Sequence, residues 1–184
     1  MSEEREERVE RERRAILPSV ALREAFAVMA QDYKAAGEYR YWREAERDGF
    51  DFLDYVSRLR GYARGIDLPA GLVPYTTFWL VGGPLDTIYG VSRLRHRLNN
   101  RSRLEGGHIG YDVPPSHRNA GNGTELLRQT LAKARDMGIF RVLLTCDETN
   151  IASARVIEKN GGRFENQVVS NVTGSVVNRY WINT

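Results

Sequence analysis

The sequence predicts an α/β chain of the α+β kind: one domain with a twisted mixed sheet and helices on its faces. Three observations carry this. Apolar residues near the N-terminus recur with a helical period, the TTFWLV segment at 76–81 opens a β-rich region, and a strand–helix–strand–helix order follows between residues 106 and 160. Of 184 residues, 41% are hydrophobic and 10% aromatic, enough for a sizeable core in a single domain.

The elements follow in order. Residues 1–14 (MSEEREERVERERR) alternate in sign around a single apolar residue, Val9. They read as a charged, disordered tail ahead of a domain spanning 15–184. Leu22, Phe26, Met29 and Tyr33 fall at i, i+4, i+7 and i+11, one helix face, which Gly37 stops. Phe52, Val56 and Leu59 mark a second helix. Gly65, Pro69, Gly71 and Pro74 then make an irregular connection. Thr76–Val81 and Asp86–Leu94 read as an antiparallel hairpin turned at Gly82-Gly83-Pro84. A polar turn over 96–103 leads to a strand at Gly106–Val113. An amphipathic helix spans Thr124–Met137, and Phe140–Cys146 is an apolar run of the buried-strand type. Asn150 caps a short helix to Asn160. Strands near Arg163–Ser170 and Val176–Ile182 close the chain around Thr173-Gly174.

Composition excludes several classes. The lone cysteine, Cys146, allows no internal disulfide and fits a reducing, cytoplasmic setting. Met1–Arg14 lacks the apolar stretch of a signal peptide, and no run approaches a membrane span of ~18 apolar residues. No membrane partner is expected. The net charge is +3, with 24 acids interleaved among 27 bases. That is modest help in attracting an anionic ligand, without the basic patch of a nucleic-acid binder. Three histidines and one cysteine show no metal spacing, so no metal is expected.

The stretch from Val113 to Thr124 (VPPSHRNAGNGT) lies between a strand and a strong helix. Gly121 and Gly123 remove Cβ atoms where backbone must approach a ligand, and consecutive N–H groups at a helix start form an anion site. Arg118 adds a positive charge, so a diphosphate is the natural ligand. No G-K-[ST] follows, and the pattern is not a dinucleotide G-x-G-x-x-G.

Arg118-x-x-Gly121-x-Gly123 resembles the pyrophosphate loop of the GNAT N-acetyltransferases. Asn150-x-x-Ser153 and Ile157-Glu158-Lys159-Asn160-Gly161-Gly162 resemble that superfamily's N-x-x-A/S and Y-E-K-x-G-F region. Leu94-Arg95-His96-x-Leu98-Asn99, Gly106–Tyr111 and Thr145-Cys146 are similar to a subfamily of predicted acetyltransferases of unknown acceptor.

The resemblance implies a single GNAT-like domain whose sheet splays between its fourth and fifth strands, here Gly106–Val113 and Phe140–Cys146. It also implies acetyl transfer from acetyl-CoA to an amine by direct attack. Backbone amides of Arg118, Asn119, Ala120, Gly121, Asn122, Gly123 and Thr124 would hold the coenzyme A pyrophosphate. The Tyr111-Asp112-Val113 edge would bind the pantetheine arm, with an N–H near Val113 on the thioester carbonyl. Asn150, Ser153 and Ile157 would line the far side. Many members carry a tyrosine acid where this chain has Ile157, which cannot donate a proton; either a thiolate leaving group makes an acid dispensable, or Tyr111, Cys146 or water would serve. Glu105, His108 and His96 are the general-base candidates. Glu105 and His108 have opposite strand parity, so only one of them can face the cleft directly. The implied partners are acetyl-CoA and an amine acceptor, with a homodimer left open. The alternative is a catalytically silent acyl-CoA-binding or sensor module.

Overall fold

The computed structural model describes residues 12–84 and 86–184. Residues 1–11, most of the charged tail, lie outside the described residues. The tail's expected end at residue 14 is corrected: Arg13–Ile16 form strand β1, antiparallel to β2 (Tyr75–Gly82). Long-range hydrogen bonds fix this short strand. The Ala15 N–H donates to Gln129 Oε1 at 2.7 Å, and Gln129 Nε2 donates to the Arg13 carbonyl at 2.7 Å.

Three helices follow β1, α1 (Arg23–Ala35), α2 (Trp42–Ala45) and α3 (Phe52–Ala63). Leu22, Phe26, Met29 and Tyr33 are all buried, as their spacing predicts. Asp51 caps α3 by accepting from the Leu53 and Asp54 N–H groups. The hairpin of β2 and β3 (Thr87–Arg95) forms as predicted. The expected polar turn over 96–103 instead holds a one-turn helix, α4 (Asn100–Leu104), built on a reciprocal Asn99–Ser102 capping box.

The next strand, β4, is only Ile109–Asp112, shorter than the expected 106–113. Gly106 and Gly107 have φ of 97° and 57°, so they form a turn and not strand. A Cβ on Gly107 would overlap the Leu143 carbonyl. The rest is α5 (Asn122–Asp136), β5 (Arg141–Asp147), α6 (Ile151–Lys159), β6 (Arg163–Val169) and β7 (Val176–Asn183).

The strands form two antiparallel sheets, ordered β1-β2-β3-β4 and β5-β7-β6. The sheet expected to splay between its fourth and fifth strands is here divided outright. The two halves meet where the His108 N–H donates to the Leu143 carbonyl at 2.7 Å and the Leu143 N–H donates to His108 Nδ1 at 2.9 Å. Strand alternation sends Phe78 and Leu94 into one core with Leu127, Val142 and Ile157. It sends Trp79 and Val91 into a second, aromatic core with Phe26, Tyr33 and Phe52 of α1 and α3. A fork with a core on each face results, and the site forms around it.

Candidate active site

One end of the candidate site is made by backbone. Gly121, the N-cap of α5, has φ 78°, and Asn119 has φ 59°. This left-handed entry turns successive N–H groups outward. Among the described residues, the N–H groups of 119–124 have no acceptor. A Cβ on Gly121 would meet nothing within 4 Å, so that side is open. Gly123 is tighter: its Cβ would lie 3.4 Å from Val156 and 3.9 Å from the Tyr111 ring. Six free donors at a helix N-terminus fit a diphosphate.

The side chains of this loop have structural duties. Arg118 is turned from the loop into a bidentate pair with Glu38 at 2.6 and 2.9 Å, and its Nε donates to the Val113 carbonyl. The part expected of Arg118 is corrected: its N–H donates to the Pro115 carbonyl at 3.3 Å and so leaves the set of free amides, and its guanidinium charge is paired with Glu38. The Asn122 side chain is buried, donating to the His117 carbonyl at 2.7 Å and accepting from Arg13. Only its N–H is available. The Ala120 and Thr124 contributions are likewise backbone N–H groups.

Across the fork, β4 parity separates two neighbours. Tyr111 faces α6, its hydroxyl 2.8 Å from Ser153 Oγ, and burial pushes the phenol up to about 12. Asp112 faces α1–α3, where it pairs with Arg40 and Arg93 and accepts from the Tyr41 hydroxyl at 2.9 Å. The ion cluster holds this side chain on the opposite face, so the contact expected of the Tyr111-Asp112-Val113 edge is one of backbone. Among the described residues the Val113 N–H has no acceptor, and it stands at the mouth of the fork. Asn150 caps α6 by accepting from the Ser153 N–H at 3.0 Å.

Ile157 does not line the fork. It is fully buried in the core with Leu127 and Tyr180, and a Cβ on Gly162 would collide with it. Its expected position on the cofactor's far side is thus corrected: that helix face packs inward against β5 and β7.

The three base candidates separate cleanly. His108 holds the two sheets together through both its N–H and its Nδ1, and burial, with Arg103 and Arg95 nearby, pushes its imidazole down to about 4. That role corrects its candidacy as base. His96 contacts Thr76 Oγ1 at 2.8 Å at the end of β3, and burial lowers it below its usual value. It does not line the cleft beside the β4–β5 junction. Glu105 does. That cleft, of about 470 Å³, runs beside the β4–β5 junction past Arg95, Glu105, Thr145, Cys146, Asp147 and Ser175. Glu105 follows α4 directly. The turn after it is pinned by Arg95 Nη1 on the Gly106 and Gly107 carbonyls (2.9 and 3.0 Å) and by the Gly106 N–H on Thr145 Oγ1 at 2.8 Å. Among the described residues Glu105 has no ion-pair partner. Asp147 is held charged below its usual range by the Thr149 hydroxyl and N–H.

The sequence reading missed the buried Arg93–Asp112–Tyr41 cluster. The available signal was Arg93 and Arg95 alternating with apolar residues on one face of a hairpin strand, where a solvated face would not be expected.

A family model of the acetyltransferase (GNAT) domain matches residues 18–163, most of the chain. The chain therefore belongs to the GNAT acetyltransferases, which take an acetyl group from acetyl-CoA. Solved structures agree on the fold. One is the Salmonella typhimurium acetyl transferase that modifies the N-terminal serine of ribosomal protein L7/L12, at 16% identity and TM-score 0.65, covering 96% of this chain and 97% of that one. Another is the microcin C7 self-immunity acetyltransferase MccE, in complex with acetyl-CoA and AMP, at 13% and 0.64, covering 96% and 94%. A third is a GNAT-family acetyltransferase from Bacillus anthracis, at 19% and 0.58, covering 92% and 93%. No curated protein sequence matches. Acetyl-CoA is the cosubstrate, and no cluster of metal-ligating side chains occurs among the described residues.

Proposed function

We propose that the enzyme transfers the acetyl group to an amine by direct attack, with Glu105 as general base. The observation that carries this is Glu105 itself. It is a carboxylate without an ion-pair partner among the described residues, on a rigid turn, in a cleft that adjoins the fork through Thr145 and Cys146. The N–H groups of 119–124 hold the pyrophosphate, and the Val113 N–H orients the thioester carbonyl. Bound acetyl-CoA supplies an activated acyl group with a thiolate leaving group. An acceptor amine enters as ammonium; Glu105 removes its proton so that the nitrogen lone pair can attack.

The Tyr111 hydroxyl lies beside Ser153 and near Cys146, on the side of β4 turned toward α6. A thiolate, with pKa near ~8.5, leaves without strong acid help, so Ile157 is compatible with turnover. The buried, lone Cys146 supports a cytoplasmic setting. Among the described residues no helix is long and apolar enough to cross a membrane.

The test is incubation with acetyl-CoA and a metabolite or peptide extract, followed by mass spectrometry. The expected result is a 42 Da gain on a primary or secondary amine, the mass of acetyl replacing hydrogen (about 42 by elementary arithmetic). Gains confined to hydroxyls would contradict the amine assignment.

A further inference from the structure

A second pocket lies on the same face of the β2–β3 hairpin as the Glu105 cleft. It encloses about 300 Å³ between α2, α3 and β3. Arg40, Arg58 and Arg93 converge on it, against one wall carboxylate, Glu44, and Tyr41, Tyr55, Tyr62 and Tyr75 supply aromatic walls. Each arginine has a partner: Arg93 and Arg40 share Asp112, and Arg58 pairs with Glu44. Three guanidiniums against two carboxylates leave one positive charge in excess. Arg40 and Arg58 keep side-chain exposures of 53% and 39%, so both can exchange a partner for a ligand oxygen.

One strained backbone position lies here as well. Tyr41 has φ 57° and ψ −49°, and the Trp42 N–H bonds back to the Arg40 carbonyl. This is a γ-turn of the rare, strained hand, occupied by a bulky residue. The fold holds it by the Tyr41 hydroxyl on Asp112 and by Arg93 Nη2 donating to that hydroxyl at 2.9 Å. Such strain persists where a site over-determines it.

The two pockets are neighbours. Arg93 lines one and Arg95 the other, two residues apart on one strand face, which is about 7 Å. Tyr75 of the second pocket pairs directly with Arg95. Gly110, opposite Arg93, leaves open space on that face. The cleft that holds Glu105 and Asp147 beside Arg95 and Arg101 therefore adjoins the pocket that holds Arg40, Arg58 and Arg93.

We propose that the arginine–tyrosine pocket binds an anionic group of the acceptor. The substrate is an amine that carries a carboxylate or phosphate on a spacer that bridges the two neighbouring pockets. This rests on the acetyltransferase reading above. Arg58 and Arg40 take the anion as charge-assisted, partly bidentate donors, while the amine reaches Glu105.

The experiment measures acetyl-CoA turnover with straight-chain ω-amino acids of increasing length. Controls are their carboxamides, alkylamines of equal length and ω-aminoalkyl phosphates. The expected result is kcat/KM at least tenfold higher for the longer ω-amino acids than for their carboxamides. The phosphate series shows which anion is preferred. Arg58→Gln should bring that ratio close to one, chiefly through KM, and Arg58→Lys should restore part of it. Glu44→Gln, which frees Arg58, should raise the ratio. Thermal melts of each variant confirm folding. Turnover that is equal across each matched pair, or a ratio unchanged in both Arg40→Gln and Arg58→Gln, overturns this inference and leaves the acetyltransferase reading standing. Acetyl-CoA binding without turnover of any amine overturns both.

Discussion

The proposed coenzyme end and the proposed acceptor end of the fork are built from different materials. At the coenzyme end, donors are backbone N–H groups of 119–124, and the nearby side chains of Arg118 and Asn122 are tied to Glu38, His117 and Arg13. At the acceptor end the chemistry is in side chains gathered from distant segments: Glu105 after α4, Asp147 at the end of β5, Arg58 on α3. A backbone site needs a local conformation, so glycines at set spacing announce it. A side-chain site needs a tertiary arrangement that no short motif records.

The sharpest way to break this contrast is at Glu105. Glu105→Gln keeps size and removes the base, so kcat/KM should fall by about 10²–10⁴ while coenzyme A affinity stays unchanged by calorimetry. A fall of less than threefold would mean that another group, or water, takes the proton.

His108 marks the joint between the two ends, and its effect is on stability. Its folded-state pKa of about 4 lies below its unfolded value near 6.5, so the folded protein holds fewer protons there. Its contribution is complete above pH 6.5 and is lost as pH falls toward 4, roughly 3 kcal/mol for a shift of this size. Denaturant titrations across that window should show a steeper loss for the native chain than for His108→Gln. Parallel curves would remove His108 from the account of the joint.

Ile157 sharpens the contrast more gently. In a full core, Ile157→Tyr should destabilise the protein by about 1–3 kcal/mol through overpacking. It should change kcat by less than about tenfold, because the hydroxyl would not enter the fork. Matched melts and turnover measurements separate the two. A large rate gain without destabilisation would place this position in the cleft after all.

The legibility of the sequence follows the same division. Periodic runs placed α1, α3, α5 and the β2–β3 hairpin, because each buries a regular face of its own. β1 lay hidden in a charge run, since Arg13–Ile16 is held by Gln129 and the β2 edge rather than by any pattern of its own. The Gly106–Val113 strand was read too long because glycine is neutral in a pattern of alternation, and only the positive φ values reveal the turn. Ile157 was read onto the ligand face from its spacing to Asn150 and Ser153. Four- and seven-residue spacing shares a helix side but does not say which side packs inward. Arg118 fitted a phosphate motif, and the partner that neutralises it, Glu38, lies 80 residues away.

In the proposed function, backbone N–H groups at the start of α5, and not the Arg118 charge, hold coenzyme A. Calorimetric titration of coenzyme A into folded Gly121→Val and Arg118→Gln tests it directly. Binding should be at least tenfold weaker for Gly121→Val, whose side chain would occupy the open face of the loop, and less than tenfold weaker for Arg118→Gln. Unchanged affinity in Gly121→Val, or a greater loss in Arg118→Gln than in Gly121→Val, would contradict it.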